Sequence, residues 1–170
     1  MDLRSLIRDI PDFPKEGVIF KDITLLLQNP DALKETTNEL FKLLNGQKIN
    51  KVVGMESRGF LFGPMLASKL NAGFVPIRKP GKLPSTTLSE TYDLEYGTDT
   101  LEIHIDAIEK GDKVLIHDDV LATGGTANAA CKLIERLGGE IVQCNFLIEL
   151  TFLNGSSKIN DYSVQSLLKY

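Results

Sequence analysis

The residues with the clearest chemical content form one run, Val114-Leu115-Ile116-His117-Asp118-Asp119-Val120-Leu121-Ala122-Thr123-Gly124-Gly125-Thr126. An apolar-rich strand pattern leads into two adjacent carboxylates, then into five small residues that end where a helical pattern begins. Gly124 and Gly125 permit backbone angles that turn successive N–H groups inward, and a helix N-terminus behind them adds partial positive charge. Such a concavity suits a phosphate dianion. Thr123 and Thr126 add hydroxyl donors. A carboxylate repels phosphate but accepts hydrogen bonds from sugar hydroxyls. Acids beside a phosphate cradle therefore point to a ribose phosphate, with Asp118 and Asp119 on the vicinal diol and residues 122–126 on the 5′-phosphate. The competing reading is an ordinary strand–turn–helix connection with a capping threonine, and the acid pair weighs against it. Neither G-x-x-x-x-G-K-[ST] nor G-x-G-x-x-G occurs.

The surrounding pattern must place that run at the carboxyl end of a sheet. Strands are expected over 51–55, 74–78, 113–117 and 141–150, alternating with helices over 60–70 and 127–137. In the last helix Ala127, Ala130, Cys131, Ile134 and Leu137 share one side. Alternation of Val/Ile-rich strands with helices of this length indicates βαβ units and a parallel sheet with right-handed crossovers, an α/β fold. In such sheets the ligand crevice lies beyond the carboxyl ends of the strands. Upstream, Leu3, Leu6, Ile7 and Ile10 predict a first helix ended by Pro11, and 12–22 reads as irregular. Asn29 is placed to cap a helix that starts at Pro30 and runs to about Leu44. Segment 79–105 breaks the rhythm. Pro80, Gly81 and Pro84 lead to two alternating runs, 92–96 and 101–105, separated by Gly97-Thr98-Asp99, the pattern of a hairpin projecting from the sheet.

The chain has 170 residues, 42% hydrophobic and 25% charged, which fits a single globular domain spanning 1–170. The net charge of −4 argues against a nucleic-acid partner, since such domains carry a basic excess. Local cations can still focus the field in a cleft for a small anion. No apolar run nears the ~20 residues of a membrane helix, and no signal-peptide pattern opens the chain, so no membrane partner and a cytoplasmic location are expected. Cys131 and Cys144 fit neither a zinc site nor a C-x-x-C redox pair and read as buried free thiols. Asn154-Gly155-Ser156 reads as a turn rather than a glycosylation site.

The 114–126 run resembles the phosphoribosyl pyrophosphate signature of type I phosphoribosyltransferases. Four further blocks, FPKEGVIFKDIT (13–24), GMESRGFLFGPMLA (54–67), IRKPGKLP (77–84) and LEYG (94–97), are similar to the adenine-using branch of that family. The resemblance implies a parallel-sheet core of the type I kind, an N-terminal base-binding segment and a mobile hood over about 79–105. It also implies transfer of a phosphoribosyl group to adenine, with pyrophosphate released and AMP formed in purine salvage. Magnesium would enter on the pyrophosphate substrate rather than in a protein-only cage, and the assembly would be a homodimer.

Site roles follow from the same resemblance, residue by residue. Glu56, Ser57, Arg58 and Gly59 fall on the pyrophosphate, where a guanidinium grips phosphate oxygens bidentately. Arg78, Lys79 and Lys82 give the region after the second core strand positive character near the leaving group. Glu95 corresponds to the proposed general acid/base at the purine N7, and Arg58 joins it as a catalytic residue. Tyr96 would order the closed hood. Ile19, Phe20 and Lys21 match the adenine contacts, with Val120 and Leu121 against the other face; many relatives have Arg at the position of Lys21. Two other readings stay open: a phosphoribosyltransferase for hypoxanthine, guanine or xanthine, and a non-catalytic sensor of phosphoribosyl pyrophosphate.

Overall fold

The computed structural model describes residues 1–94 and 96–170. The chain divides into two compact units, Met1–Glu39 and Leu40–Tyr170.

In the first unit the expected opening helix shrinks to one 3-10 turn, Leu3–Leu6, capped by Asp2, whose carboxylate accepts from Arg4 N at 3.0 Å. The chain then extends into β1 (Arg8–Pro11), which pairs antiparallel with β2 (Ile19–Asp22) inside the segment read as irregular. A helix this short has no stability of its own, and the hairpin supplies the competing bonds. Ion pairs of 2.5 Å between Arg8 and Asp22 and 2.6 Å between Lys21 and Asp9 stitch its two strands. A short helix, α1 (Thr24–Gln28), follows.

Helix α2 (Pro30–Lys42) begins where its sequence signals place it. Asn29 Oδ1 accepts from the amides of Asp31 and Ala32 at 3.0 and 3.1 Å, satisfying two of the orphan donors of the first turn. Asn29→Ala is expected to cost about 1 kcal/mol, read as a drop of roughly 2–4 °C in Tm with turnover unchanged.

The second unit is built on a five-stranded parallel sheet of order β4-β3-β7-β8-β9. These strands are Gly73–Ile77, Lys51–Met55, Lys113–Leu121, Glu140–Glu149 and Val164–Lys169, respectively. The α/β parallel core expected from the alternation is therefore present; β9, with its weak pattern, was not foreseen. Helices α3 (Gly59–Leu70) and α4 (Gly125–Arg136) follow β3 and β7. Val114 and Ile116 of β7 join Ala127, Ala130, Cys131 and Ile134 of α4 in one apolar cluster. His117, of opposite parity, turns its ring to Phe62 of α3, centroids 6.3 Å apart. Strand alternation thus puts the two helices on opposite faces of the sheet. Each fully buried Leu or Ile there, such as Leu133 and Ile134, contributes about 1.5–3 kcal/mol. Cys131 and Cys144 are buried free thiols.

The hairpin exists with shifted boundaries: β5 (Thr87–Asp93) pairs antiparallel with β6 (Thr98–His104). Its turn comes earlier than expected, with Leu94 N donating to Gly97 O at 2.9 Å and Gly97 supplying a φ of 80°. Asp99 is consequently a strand residue. Nor does the hairpin stand clear of the core. Leu101 and Ile103 are fully buried, and Arg136 of α4 donates to Ser89 O at 2.7 Å. Among the described residues no helix is long and apolar enough to cross a membrane.

Candidate active site

Strand β7 runs four residues farther than its apolar stretch, so Asp118 and Asp119 are held in strand geometry rather than in a loop. Period-2 alternation would part them, yet their carboxyls stay close enough to interact, and each has a further neighbour of its own. Asp118 lines a cleft of about 80 Å³, open to solvent, with Val120, Phe146 and every residue from 121 to 127, and its Oδ1 lies 3.2 Å from where a Cβ on Gly59, at the start of α3, would sit. Asp119 faces the side of α3, is 3% exposed, and its Oδ2 lies 2.8 Å from Arg58 Nε. The Asp119 amide donates to Asp118 Oδ1 at 2.9 Å. Burial raises the pKa of both carboxyls. The Asp119 charge lifts Asp118 further, while the Arg58 guanidinium pulls the other way, most of all on Asp119.

Beneath them His117 is fully buried. Asn145 Nδ2 donates to Leu40 O at 3.4 Å, which leaves its Oδ1 to accept from His117 Nδ1 at 2.8 Å. Burial pushes the imidazole down to about 4, so it stays neutral and serves as a strand-to-strand brace.

The loop after Leu121 is short, because α4 begins at Gly125. Gly124, with a φ of 81°, is the residue that turns the chain into the helix. The first N–H groups of any helix lack intrahelical acceptors, and here those of Gly125, Thr126 and Ala127 belong to residues lining the cleft. The loop is pressed into shape from behind. A Cβ on Gly124 would lie 2.2 Å from Gly155 O, and one on Gly155 would lie 2.1 Å from Ala122 O. The result is a cradle of backbone donors with Asp118 at its rim.

A second group gathers where β3 and β4 end. Glu56 Oε2 accepts from Lys79 N at 2.9 Å and lies 3.4 Å from Arg78 Nε, while its Oε1 binds the Lys82 ammonium. Burial works to raise the Glu56 carboxyl, but Lys82, the Lys79 amide and Arg78 outweigh it and hold its pKa below the usual range. The Lys79 ammonium is bound by Asp99. Arg58, Arg78, Lys79 and Lys82 thus each have an acid within reach.

A model of the phosphoribosyl transferase domain matches residues 23–168. The chain belongs to this family. It is 65% identical to the adenine phosphoribosyltransferase of Flavobacterium johnsoniae, over 100% of both chains. The crystal structure of adenine phosphoribosyltransferase from Thermoanaerobacter pseudethanolicus superposes with a TM-score of 0.97 at 53% identity, covering 99% of this chain and 98% of that one. The Saccharomyces cerevisiae enzyme, crystallised with an imino-altritol bisphosphate and adenine, gives a TM-score of 0.93 at 44% identity over 98% of this chain and 96% of that one.

In this phosphoribosyl transferase the cleft brings together Asp118 and all of 122–126 from the expected ribose-phosphate set, adds Val120 and Leu121, which were expected at the base, and is not lined by Asp119. Glu56, Lys79 and Lys82 belong to the separate charged group just described, whereas Arg58 pairs with Asp119. Ser57 precedes the start of α3, and Gly59 opens it, where a Cβ would meet His117 O at 3.0 Å. Ile19, Phe20 and Lys21 lie in β2 of the first unit, with Phe20 edge-on to Phe13, centroids 5.2 Å apart. Tyr96 is 81% exposed, and Glu95 lies outside the described residues. Sequence reasoning missed Phe146, Gly155, Tyr92 and Asp99. Only Gly155 carried a signal, a glycine in a turn pattern, and nothing local indicated what it packs against.

Proposed function

We propose that this chain transfers the 5-phosphoribosyl group of phosphoribosyl pyrophosphate to adenine, forming AMP and releasing pyrophosphate. One observation carries the reading: a carboxylate, Asp118, opens onto the same small cleft as the donor-lined bend at 122–126. A phosphate and a sugar diol are the two parts of one ligand that such a cleft satisfies together. The adenine phosphoribosyltransferases that match along the whole chain supply the identity of the base.

In this reading the amides and hydroxyls of 122–126 take the 5′-phosphate, and Asp118 with Asp119 takes the ribose hydroxyls. Breaking the C1′–O bond builds positive charge on the sugar and negative charge on the departing pyrophosphate. Arg58, Lys79 and Lys82, with the turn Glu56-Ser57-Arg58-Gly59, stabilise that negative charge; fixed cations aimed at developing charge are an effective form of catalysis. Magnesium bound with the pyrophosphate substrate would help neutralise the charge that Arg58, Lys79 and Lys82 face. Ile19, Phe20 and Lys21, with Val120 and Leu121, receive the base. Glu95 exchanges a proton at N7, and Tyr96 orders the hood that keeps water from the activated sugar. The working form is a cytoplasmic homodimer.

Pyrophosphate release, measured with magnesium, phosphoribosyl pyrophosphate and each purine in turn, tests the proposal. Adenine is expected to support turnover, with hypoxanthine, guanine and xanthine near background. Turnover with an oxopurine instead would move the base assignment. Silence with every base, despite tight substrate binding, would leave a sensor.

A further inference from the structure

The Tyr92 hydroxyl of β5 stands 3.1 Å from Thr126 Oγ1 and 3.2 Å from Asp99 Oδ2. Asp99 in turn binds the Lys79 ammonium. The tyrosine ring approaches so closely that a Cβ on Gly125 would be 3.2 Å from its Cδ2. One hydroxyl therefore bridges the bend that cradles phosphate and a cation of the leaving-group cluster.

A hydroxyl has one proton, which fixes the direction of the bridge. Burial works to raise the Asp99 carboxyl, but Lys79, the Thr100 amide at 2.8 Å and Tyr92 hold it below the usual range. As a carboxylate it only accepts. Tyr92 accordingly donates to Asp99, and Thr126 donates to the Tyr92 oxygen, its proton turned away from the cleft. A phosphate dianion also only accepts. When it occupies the bend, Thr126 must turn its proton to the phosphate, and Tyr92 must swing its own from Asp99 to Thr126 Oγ1. Asp99 then loses a donor and holds Lys79 more firmly.

We propose that Tyr92 is a positioning residue whose hydroxyl relays occupancy of the phosphate cradle to Lys79, loosening the grip of that lysine on pyrophosphate while a sugar phosphate is bound. This rests on the assignment of 122–126 to the 5′-phosphate and Lys79 to the pyrophosphate. Its use lies after bond cleavage, when the nucleotide phosphate still fills the cradle and pyrophosphate has to leave.

The test is calorimetric binding of magnesium pyrophosphate with and without saturating ribose 5-phosphate, in the parent, Tyr92→Phe, Thr126→Ala and Lys79→Met. In the parent, ribose 5-phosphate weakens pyrophosphate binding by through-space repulsion plus the relay. In Tyr92→Phe only the repulsion remains, so the ratio of the two Kd values is expected to fall by about five-fold, the effect of one neutral hydrogen bond. General damage to packing would change both Kd values without changing their ratio. A Tyr92→Phe ratio equal to the parent's overturns the relay. Unchanged ribose 5-phosphate binding in Thr126→Ala, or unchanged pyrophosphate binding in Lys79→Met, instead overturns the site assignment beneath it.

Discussion

Alanine at Gly155 is expected to lower kcat/KM by at least about 100-fold, although this residue touches no substrate in the proposed mechanism. The added Cβ would lie 2.1 Å from Ala122 O, 2.9 Å from Gly124 N and 3.0 Å from the Ala122 carbonyl carbon. All three are backbone atoms, so no side chain can rotate away. Relief requires the bend to retreat by more than 1 Å, and displacement of that size in a positioning element costs on the order of 100-fold in rate. Overpacking of this kind also destabilises by roughly 1–3 kcal/mol. Gly111→Ala is the control: its φ of 86° makes alanine strained there, but nothing lies within 4 Å. It is expected to lose about 1 kcal/mol with turnover intact. Steady-state kinetics beside thermal melts separate the two. Full turnover in Gly155→Ala would mean that the position of the bend does not matter to the reaction.

That glycine also shows where reading the sequence stops. The acid pair, the small-residue bend and the helix behind it are consecutive, so their mutual placement follows from strand period and helix polarity alone. The cleft accordingly contains Asp118 and the whole bend at 122–126, although Asp119 does not line it. The parallel core was legible for the same reason, since Val/Ile strands alternating with helices leave few ways to bury both. What was illegible depends on partners distant in the chain. Arg8–Pro11 extends because Ile19–Asp22 pairs with it, overriding the helical spacing of Leu3, Leu6, Ile7 and Ile10. Gly155 backs a loop some thirty residues earlier, and Asp99 meets Lys79 only because the hairpin folds back. The split of the acid pair lies between these cases. Alternation predicts that Asp118 and Asp119 diverge, but the fold keeps their carboxyls close enough to interact and sets Arg58 against the second.

Burial beside a second carboxyl makes Asp118→Asn a substitution that should stabilise the protein while disabling it. Asp118 carries a pKa raised well above its ordinary value by burial and by the charge of Asp119. The unfolded carboxyl titrates near about 3.9. Between that value and the raised native one the folded chain binds the extra proton, so stability falls as pH climbs through the window, and the penalty persists above it. Asparagine removes the ionisation, and its Oδ1 can still accept from the Asp119 amide, which the aspartate holds at 2.9 Å. The variant should therefore melt several degrees above the parent at neutral pH, each ~1 kcal/mol of relief being worth about 2–4 °C. The advantage should shrink toward zero as pH approaches about 4, where the parent is protonated too. Activity moves the other way. A ligand diol drives the parent carboxylate to ionise and accept two charge-assisted bonds, and asparagine offers a single neutral acceptor, so kcat/KM should fall by about 100-fold. A variant that loses turnover and also melts lower at neutral pH would show that Asp118 braces the strand end rather than waiting, at a cost to the empty protein, for the sugar.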